Sequence, residues 1–258
     1  MSNLTVGLVQ TELQWQAPRE NRAHLSQEIE SLGEETDLVV LPEMFTTGFS
    51  MNALENAEPA GGPTEDWMMG VARDRQCAIT GSIAVQEGDK VFNRMLFVTP
   101  EHCYQYDKRH LFRMANEHHR YAAGDKQVVV PWRGWRISLQ VCYDLRFPVW
   151  MRNRENFDLM LCVANWPQQR RYHWRQLLIA RAIENQACMV GVNRLGSDAN
   201  GFEYSGDSMV VAADGQLLAD LQDQPTVANV VLDYADQQEF KQKFPSYMDA
   251  DEFQLGPL

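Results

Sequence analysis

Cys142 and Glu43 each stand where an apolar run ends, and their types are those of a nucleophile and a proton carrier. Cys142 follows Ile137-Ser138-Leu139-Gln140-Val141 and precedes Tyr143-Asp144-Leu145-Arg146-Phe147-Pro148. At the carboxyl end of a strand a thiol is open to substrate, and the turn after it can aim a backbone N–H at a developing oxyanion. Glu43 emerges from Asp37-Leu38-Val39-Val40-Leu41-Pro42. Desolvation at such a position suits a carboxylate to general acid or base work near neutral pH. Taken singly, each residue also has a plainer reading: free cysteines are among the most buried side chains, and a strand-end glutamate often faces water or an arginine. Lys108, in Tyr106-Asp107-Lys108-Arg109-His110-Leu111, reads alone as a solvated charge.

The elements that must carry these residues alternate between strand and helix. Residues 4–10 alternate as a strand, residues 18–34 follow as a surface helix, and residues 37–42 form a β-branched run suited to burial on both faces. A helix over 63–75, opened by Pro63, leads to strands over 77–85 and 91–99 joined by Glu87-Gly88-Asp89. Further strands are expected at 127–130, 136–142, 159–164 and 188–193, with helices at 149–156 and 173–185. A hairpin of 208–212 and 216–221 about Asp214-Gly215, then a strand at 227–232, complete the pattern. The reading is an α/β layered domain with substantial sheet on sheet. With no linker and no fixed repeat, residues 1–258 are expected as one domain, with a C-terminal tail from about Asp236 lying across a neighbouring surface.

Composition excludes several functions. The 258 residues carry 23 Lys+Arg against 35 Asp+Glu, a formal charge of -12 that repels phosphate backbones and argues against nucleic-acid binding. No apolar stretch approaches the roughly 18 to 20 residues of a membrane span, and Met1-Ser2-Asn3-Leu4 has no basic, then apolar, leader pattern. Cys77, Cys103, Cys142, Cys162 and Cys188 form no CxxC pair and no zinc or disulfide spacing, so reduced thiols in the cytoplasm are expected. His118 and His119 are adjacent on one backbone and point apart, and no second cluster at ligand spacing accompanies them, so no metal is expected.

In combination the three reactive residues say more than each does alone. The order Leu41-Pro42-Glu43, then Tyr106-Asp107-Lys108-Arg109-His110-Leu111-Phe112, then Val141-Cys142-Tyr143-Asp144-Leu145-Arg146-Phe147-Pro148 resembles the nitrilase, or carbon–nitrogen hydrolase, superfamily. Gly7-Leu8-Val9-Gln10, Asn93, Glu117 with Tyr121 and Gly124, and Ala180-Arg181-Ala182-Ile183-Glu184-Asn185 agree, so the resemblance runs from about residue 4 to 233. It implies a four-layer αββα sandwich, a homodimer that extends the sandwich, and no metal or organic cofactor. It also implies a Glu43–Lys108–Cys142 triad, with Glu117 beside it to position the lysine or the substrate.

Amide hydrolysis gives each member a task. Glu43 would take the Cys142 proton and pass a proton to departing ammonia, while Lys108 and the Tyr143 N–H would stabilise the tetrahedral anion before a thioester forms. Thr46-Thr47-Gly48-Phe49-Ser50 and Asn165-Trp166-Pro167 look most like the omega-amidase branch, which acts on small-molecule 2-oxo dicarboxylic acid monoamides. Such a substrate carries a distal carboxylate, for which Arg146, Arg170 or Arg171 is the expected partner, with Phe49 and Trp166 as walls. Plainer roles remain open for these side chains: Arg146 paired with Asp144, Arg170 and Arg171 solvated, and the aromatics as core. The rival functions are an amidase or nitrilase for other small substrates, and a non-enzymatic interaction protein that keeps the fold and buries Cys142.

Overall fold

The computed structural model describes residues 3–256, and Met1, Ser2, Pro257 and Leu258 lie outside the described residues. β1 (Leu4–Gln10) and the short β2 (Leu38–Val40) flank α1 (Pro18–Glu30). Pro18 suits the first turn of α1, where a missing N–H needs no partner. One turn, α2 (Ala53–Asn56), and β3 (Glu58–Pro59) precede α3 (Pro63–Arg75), which ends where Gln76 turns left-handed at φ 51°. β4 (Ala78–Glu87) and β5 (Lys90–Val98) make a hairpin, and β6 (Cys103–Asp107) runs antiparallel beside it. The next stretch holds β7 (Val129–Trp132), β8 (Trp135–Val141), α4 (Pro148–Met151), β9 (Leu159–Ala164), α5 (Arg171–Asn185) and β10 (Cys188–Asn193). A small hairpin of β11 (Leu195–Ser197) and β12 (Glu203–Ser205) leads to β13 (Met209–Val211), β14 (Leu217–Asp220), β15 (Thr226–Leu232) and α6 (Tyr234–Lys243).

Two large sheets result. One has the order β15-β1-β2-β4-β5-β6 with β3 beside β4, and the other the order β14-β13-β10-β9-β8-β7. In each, the middle strands are parallel: β1, β2 and β4 in the first, β8, β9 and β10 in the second. Strands buried on both faces read as continuous apolar runs, as Leu38-Val39-Val40 and Leu159-Met160-Leu161-Cys162-Val163-Ala164 do.

The inner faces meet in one core, where Leu4, Val6, Leu8 and Phe97 of the first sheet join Leu139, Val141, Leu161 and Val190 of the second. Outside the first sheet, Leu25 and Ile29 of α1 and Met68 and Ala72 of α3 cluster with Val39, Ile79 and Leu96. Outside the second, Trp174 and Leu178 of α5 close over Gly191, where an added Cβ would meet Leu178 at 2.5 Å. The layers therefore run helix, sheet, sheet, helix, which is the expected four-layer αββα sandwich.

Several boundaries differ from the sequence reading. α4 stops at Met151 instead of extending over 149–156, because Asn153 turns its side chain to the Phe157 N–H and carbonyl and its own N–H to Asn185, while Asn156 goes left-handed at φ 52°. The tail expected from about Asp236 opens as α6, capped by the Asp233 carboxylate accepting from Asp236 N–H at 3.0 Å. Beyond α6 the chain packs on itself: Gln186 donates to the Phe244 carbonyl at 2.6 Å, and Arg109 to that of Gly256 at 3.1 Å. No helix among the described residues is long and apolar enough to cross a membrane.

Candidate active site

Glu43, Lys108 and Cys142 leave three different strands and meet in one place. Glu43 lies three residues past β2, in a segment pressed onto β4 so closely that a Cβ on Gly81 would meet Phe45 at 2.7 Å and Leu41 at 2.9 Å. Lys108 directly follows β6, its N–H bonded to the Asn93 carbonyl at 2.9 Å and its own carbonyl taken by Gly124 at 2.9 Å. Cys142 begins a 3-10 turn after β8 and holds φ at 46°, a left-handed conformation that costs a β-carbon-bearing residue strain of order 1 to 3 kcal/mol. Met44, after the glutamate, has the same φ of 46°.

Lys108 Nζ donates to Glu43 Oε1 at 2.9 Å and to Glu117 Oε1 and Oε2 at 3.0 and 3.1 Å, with all three side chains at 0% exposure. Asn93 Nδ2 bridges the two carboxylates at 2.8 and 3.3 Å. The other Glu43 oxygen accepts from the Asn165 N–H at 2.7 Å, and Asn165 Nδ2 donates to the Glu43 carbonyl at 2.5 Å. Glu117 sits on a short turn and accepts from the Phe112 N–H at 2.5 Å. Glu117 is therefore a buried partner of Lys108 and not a solvated loop carboxylate.

Burial and charge act in opposite directions here. Burial by itself lowers the Lys108 ammonium, but Glu117 and Glu43 outweigh it and hold the group well above its ordinary value. Glu117 is pushed up by burial, against the pull of Lys108. Burial first, then the Glu43 charge, raises the Cys142 thiol well above its usual range, which favours the neutral thiol. A thiol so raised needs a proton acceptor to become a nucleophile, and Glu43 is the carboxylate whose charge acts on it.

A cleft of about 270 Å³ opens over Cys142. Lys108, Tyr143, Phe49, Trp166, Arg146 and Arg170 line it, so the structure brings most of the expected residues together. The Lys108 ammonium lies 5.0 Å from the Phe49 ring centre, Arg146 stacks on Trp166 at 4.7 Å, and Arg170 on Phe112 at 5.4 Å. Neither Arg146 nor Arg170 has a carboxylate partner among the described residues. Asp144, the suggested mate for Arg146, is instead held by His110 and Tyr106. Burial, then the neighbouring Arg170 charge, lower the Arg146 guanidinium, as expected for a cation without an anion.

Arg171 is a correction: it starts α5 and pairs with buried Asp207 at 2.8 Å, outside this cleft. The β11–β12 hairpin, absent from the sequence reading, contributes Asp198, Asn200, Phe202 and Tyr204 to the cleft. Its signal is turn chemistry in Asp198-Ala199-Asn200-Gly201, where the Asp198 carboxylate accepts from the Asn200 and Phe202 N–H groups at 2.9 and 3.0 Å.

Removing the ammonium should expose the repulsion it masks. A carboxyl whose folded pKa is raised adds stability that is full below its unfolded value and is lost as pH climbs through the folded one. Lys108→Met leaves Glu43 and Glu117 facing each other, so it should cost about 3 to 5 kcal/mol near pH 8 and less at pH 5. Denaturant unfolding at the two pH values measures this, and an equal loss at both would show that the carboxylates do not repel.

Comparison with known proteins agrees with this geometry. Residues 5–242 match the carbon-nitrogen hydrolase family model. The chain is 48% identical to omega-amidase YafV of Yersinia enterocolitica, over 99% of this chain and 100% of that one, and 31% identical to the 2-oxoglutaramate amidase of Bacillus subtilis, over 95% and 96%. A crystal structure of a CN-hydrolase superfamily protein from Xanthomonas campestris, with an arsenic adduct in its active site, superposes with a TM-score of 0.97 at 46% identity, covering 99% of this chain and 100% of that chain. With the family match spanning nearly the whole sequence and a sandwich of the same shape, the chain belongs to the carbon-nitrogen hydrolase family.

Proposed function

We infer that this protein is an omega-amidase, releasing ammonia from the terminal amide of a 2-oxo dicarboxylic acid monoamide such as 2-oxoglutaramate. The observation that carries this reading is one cleft lined by Cys142, by the Lys108 ammonium that Glu43 holds at 2.9 Å, and by two guanidiniums without carboxylate partners among the described residues. The names of the relatives at 48% and 31% identity point the same way.

In this reading Glu43 takes the Cys142 proton as sulfur attacks the amide carbon. The oxygen becomes an anion stabilised by the Lys108 ammonium and the Tyr143 N–H. Glu43 returns the proton to nitrogen, the C–N bond breaks, ammonia leaves, and a thioester remains on Cys142. Water then attacks the thioester carbon as Glu43 accepts its proton, and the thiol is restored as the acid departs. Glu117 keeps the lysine charged and aimed. Arg146 and Arg170 hold the distal carboxylate, and Phe49 and Trp166 enclose the carbons between.

Selection of an anion by a protein of net charge -12 requires local cations whose hydrogen bonds exceed the long-range repulsion. Charge-assisted bonds of about 1.5 to 3 kcal/mol correspond to roughly 10- to 100-fold. Ammonia release should therefore be much faster, in kcat/KM, from 2-oxoglutaramate than from an uncharged amide of equal length. Arg146→Ala should lose most of that preference while leaving the uncharged amide little changed, with Arg170→Ala acting in the same direction. Equal rates on the two amides would sink the omega-amidase reading and leave a thiol amidase of other specificity.

A homodimer through the outer face of α5 is also proposed. Tyr172 and Ile183 are exposed on that helix, and exposed Leu217 and Leu218 follow Gly215, whose missing Cβ would meet Ile183 at 2.7 Å. Sedimentation at micromolar concentration should give twice the chain mass for the native protein and one chain mass for Ile183→Glu. A native monomer would contradict the assignment.

A further inference from the structure

Beneath the cleft lies a buried acid that the proposed chemistry does not use. Asp144 is 0% exposed, two residues past Cys142, and each of its oxygens accepts two hydrogen bonds. Oδ1 takes the His110 N–H at 2.9 Å and lies 2.8 Å from His110 Nδ1, while Oδ2 takes the Val141 N–H at 3.1 Å and the Tyr106 hydroxyl at 2.7 Å. Val141 directly precedes the nucleophile, and Tyr106 and His110 bracket Lys108 at two residues on either side. One carboxylate therefore ties the chain that carries the thiol to the chain that carries the ammonium.

Its neighbours keep it in place. Trp150 Nε1 donates to the Tyr106 hydroxyl at 3.0 Å, and the His110 ring stacks on Phe147 at 3.8 Å with 8° between planes. The left-handed φ of 46° at Cys142 does not hold itself, and the Asp144 bond back to the Val141 N–H closes the turn that contains it.

We propose that Asp144 is a positioning residue that sets the separation of Cys142 and Lys108 by accepting a backbone N–H from each arm, one on each oxygen. This rests on the roles proposed above for those two residues. The tyrosine hydroxyl and the histidine ring can reverse their hydrogen-bonding sense, but the Val141 and His110 N–H groups can only donate. An asparagine offers one acceptor oxygen, so its NH2 must face one of those two donors. The carboxylate satisfies both arms, and its amide isostere must release one.

The test compares Asp144→Asn with Tyr106→Phe on the full chain, using 2-oxoglutaramate and ammonia release. Misplacement of about 1 Å costs on the order of 10²-fold in rate. Asp144→Asn should lower kcat by about that factor with KM changed less than threefold, and should slow iodoacetamide labelling of Cys142 in protein shown folded by circular dichroism. Tyr106→Phe keeps both backbone bonds and should lose less than tenfold in kcat. A folded Asp144→Asn protein with near-native kcat, or with kcat and KM damaged together, would overturn the proposal, as would equal losses in the two variants.

Should Asp144→Asn fail to fold, Asp144→Glu keeps both acceptor oxygens but lengthens the side chain by one methylene, so that it cannot hold both backbone N–H groups at their present separation; a kcat loss at constant KM supports the clamp while a native kcat overturns it. Cys142→Ala is run alongside. Residual ammonia release from that variant would remove the underlying assignment of the nucleophile, whereas loss of activity there with native rates in Asp144→Asn would remove only the clamp.

Discussion

A lysine ammonium buried between two carboxylates is the interaction on which the site depends. Taking three charges out of solvent costs several kcal/mol per ion, and only close geometry with further hydrogen bonds offsets it. Here Lys108 reaches Glu43 at 2.9 Å and Glu117 at 3.0 Å, while Asn93, the Asn165 N–H and the Phe112 N–H occupy the remaining oxygen positions. Such a cluster tolerates little displacement of any member. In the proposed mechanism it fixes Glu43 as a base beside the thiol and Lys108 as a cation beside the reacting carbonyl before substrate arrives, so little reorganisation is left for the reaction itself.

The sandwich explains how residues so distant in sequence meet. β2 and β6 belong to one sheet and β8 to the other, and the two sheets pack by their inner faces. Glu43 and Lys108 are thus presented from one layer and Cys142 from the next, across a core that includes Leu8, Val40, Leu139 and Val141. Close-packed interiors transmit small displacements instead of absorbing them. Packing one layer behind the cleft, such as Gly81 against Phe45 or Trp174 against Gly191, consequently bears on the distances within it.

Much of this is legible in the sequence because strands buried on both faces leave continuous apolar runs, and reactive residues at the ends of such runs stand out. Glu43 and Cys142 are visible for that reason, whereas Lys108 becomes visible only through its company. The arginines are harder: Arg146, Arg170 and Arg171 look alike in sequence, and what separates them is Asp207, which engages Arg171 from 36 residues away. The β11–β12 hairpin has turn chemistry but no reactive pattern, so its share of the cleft emerges only in three dimensions. The segment after α6 reads as a tail because its charges mask how its carbonyls satisfy Gln186, Arg154 and Arg109.

The central claim is that Cys142 carries the acyl group between ammonia release and hydrolysis. The most direct measurement is intact-protein and peptide mass spectrometry on enzyme mixed with 2-oxoglutaramate and acid-quenched within the first turnover. The account predicts a mass increase equal to the 2-oxoglutaryl group, confined to the peptide containing Cys142 and discharged by hydroxylamine. Ammonia release with Cys142 unmodified throughout, or the acyl group on Cys77, Cys103, Cys162 or Cys188, would contradict it.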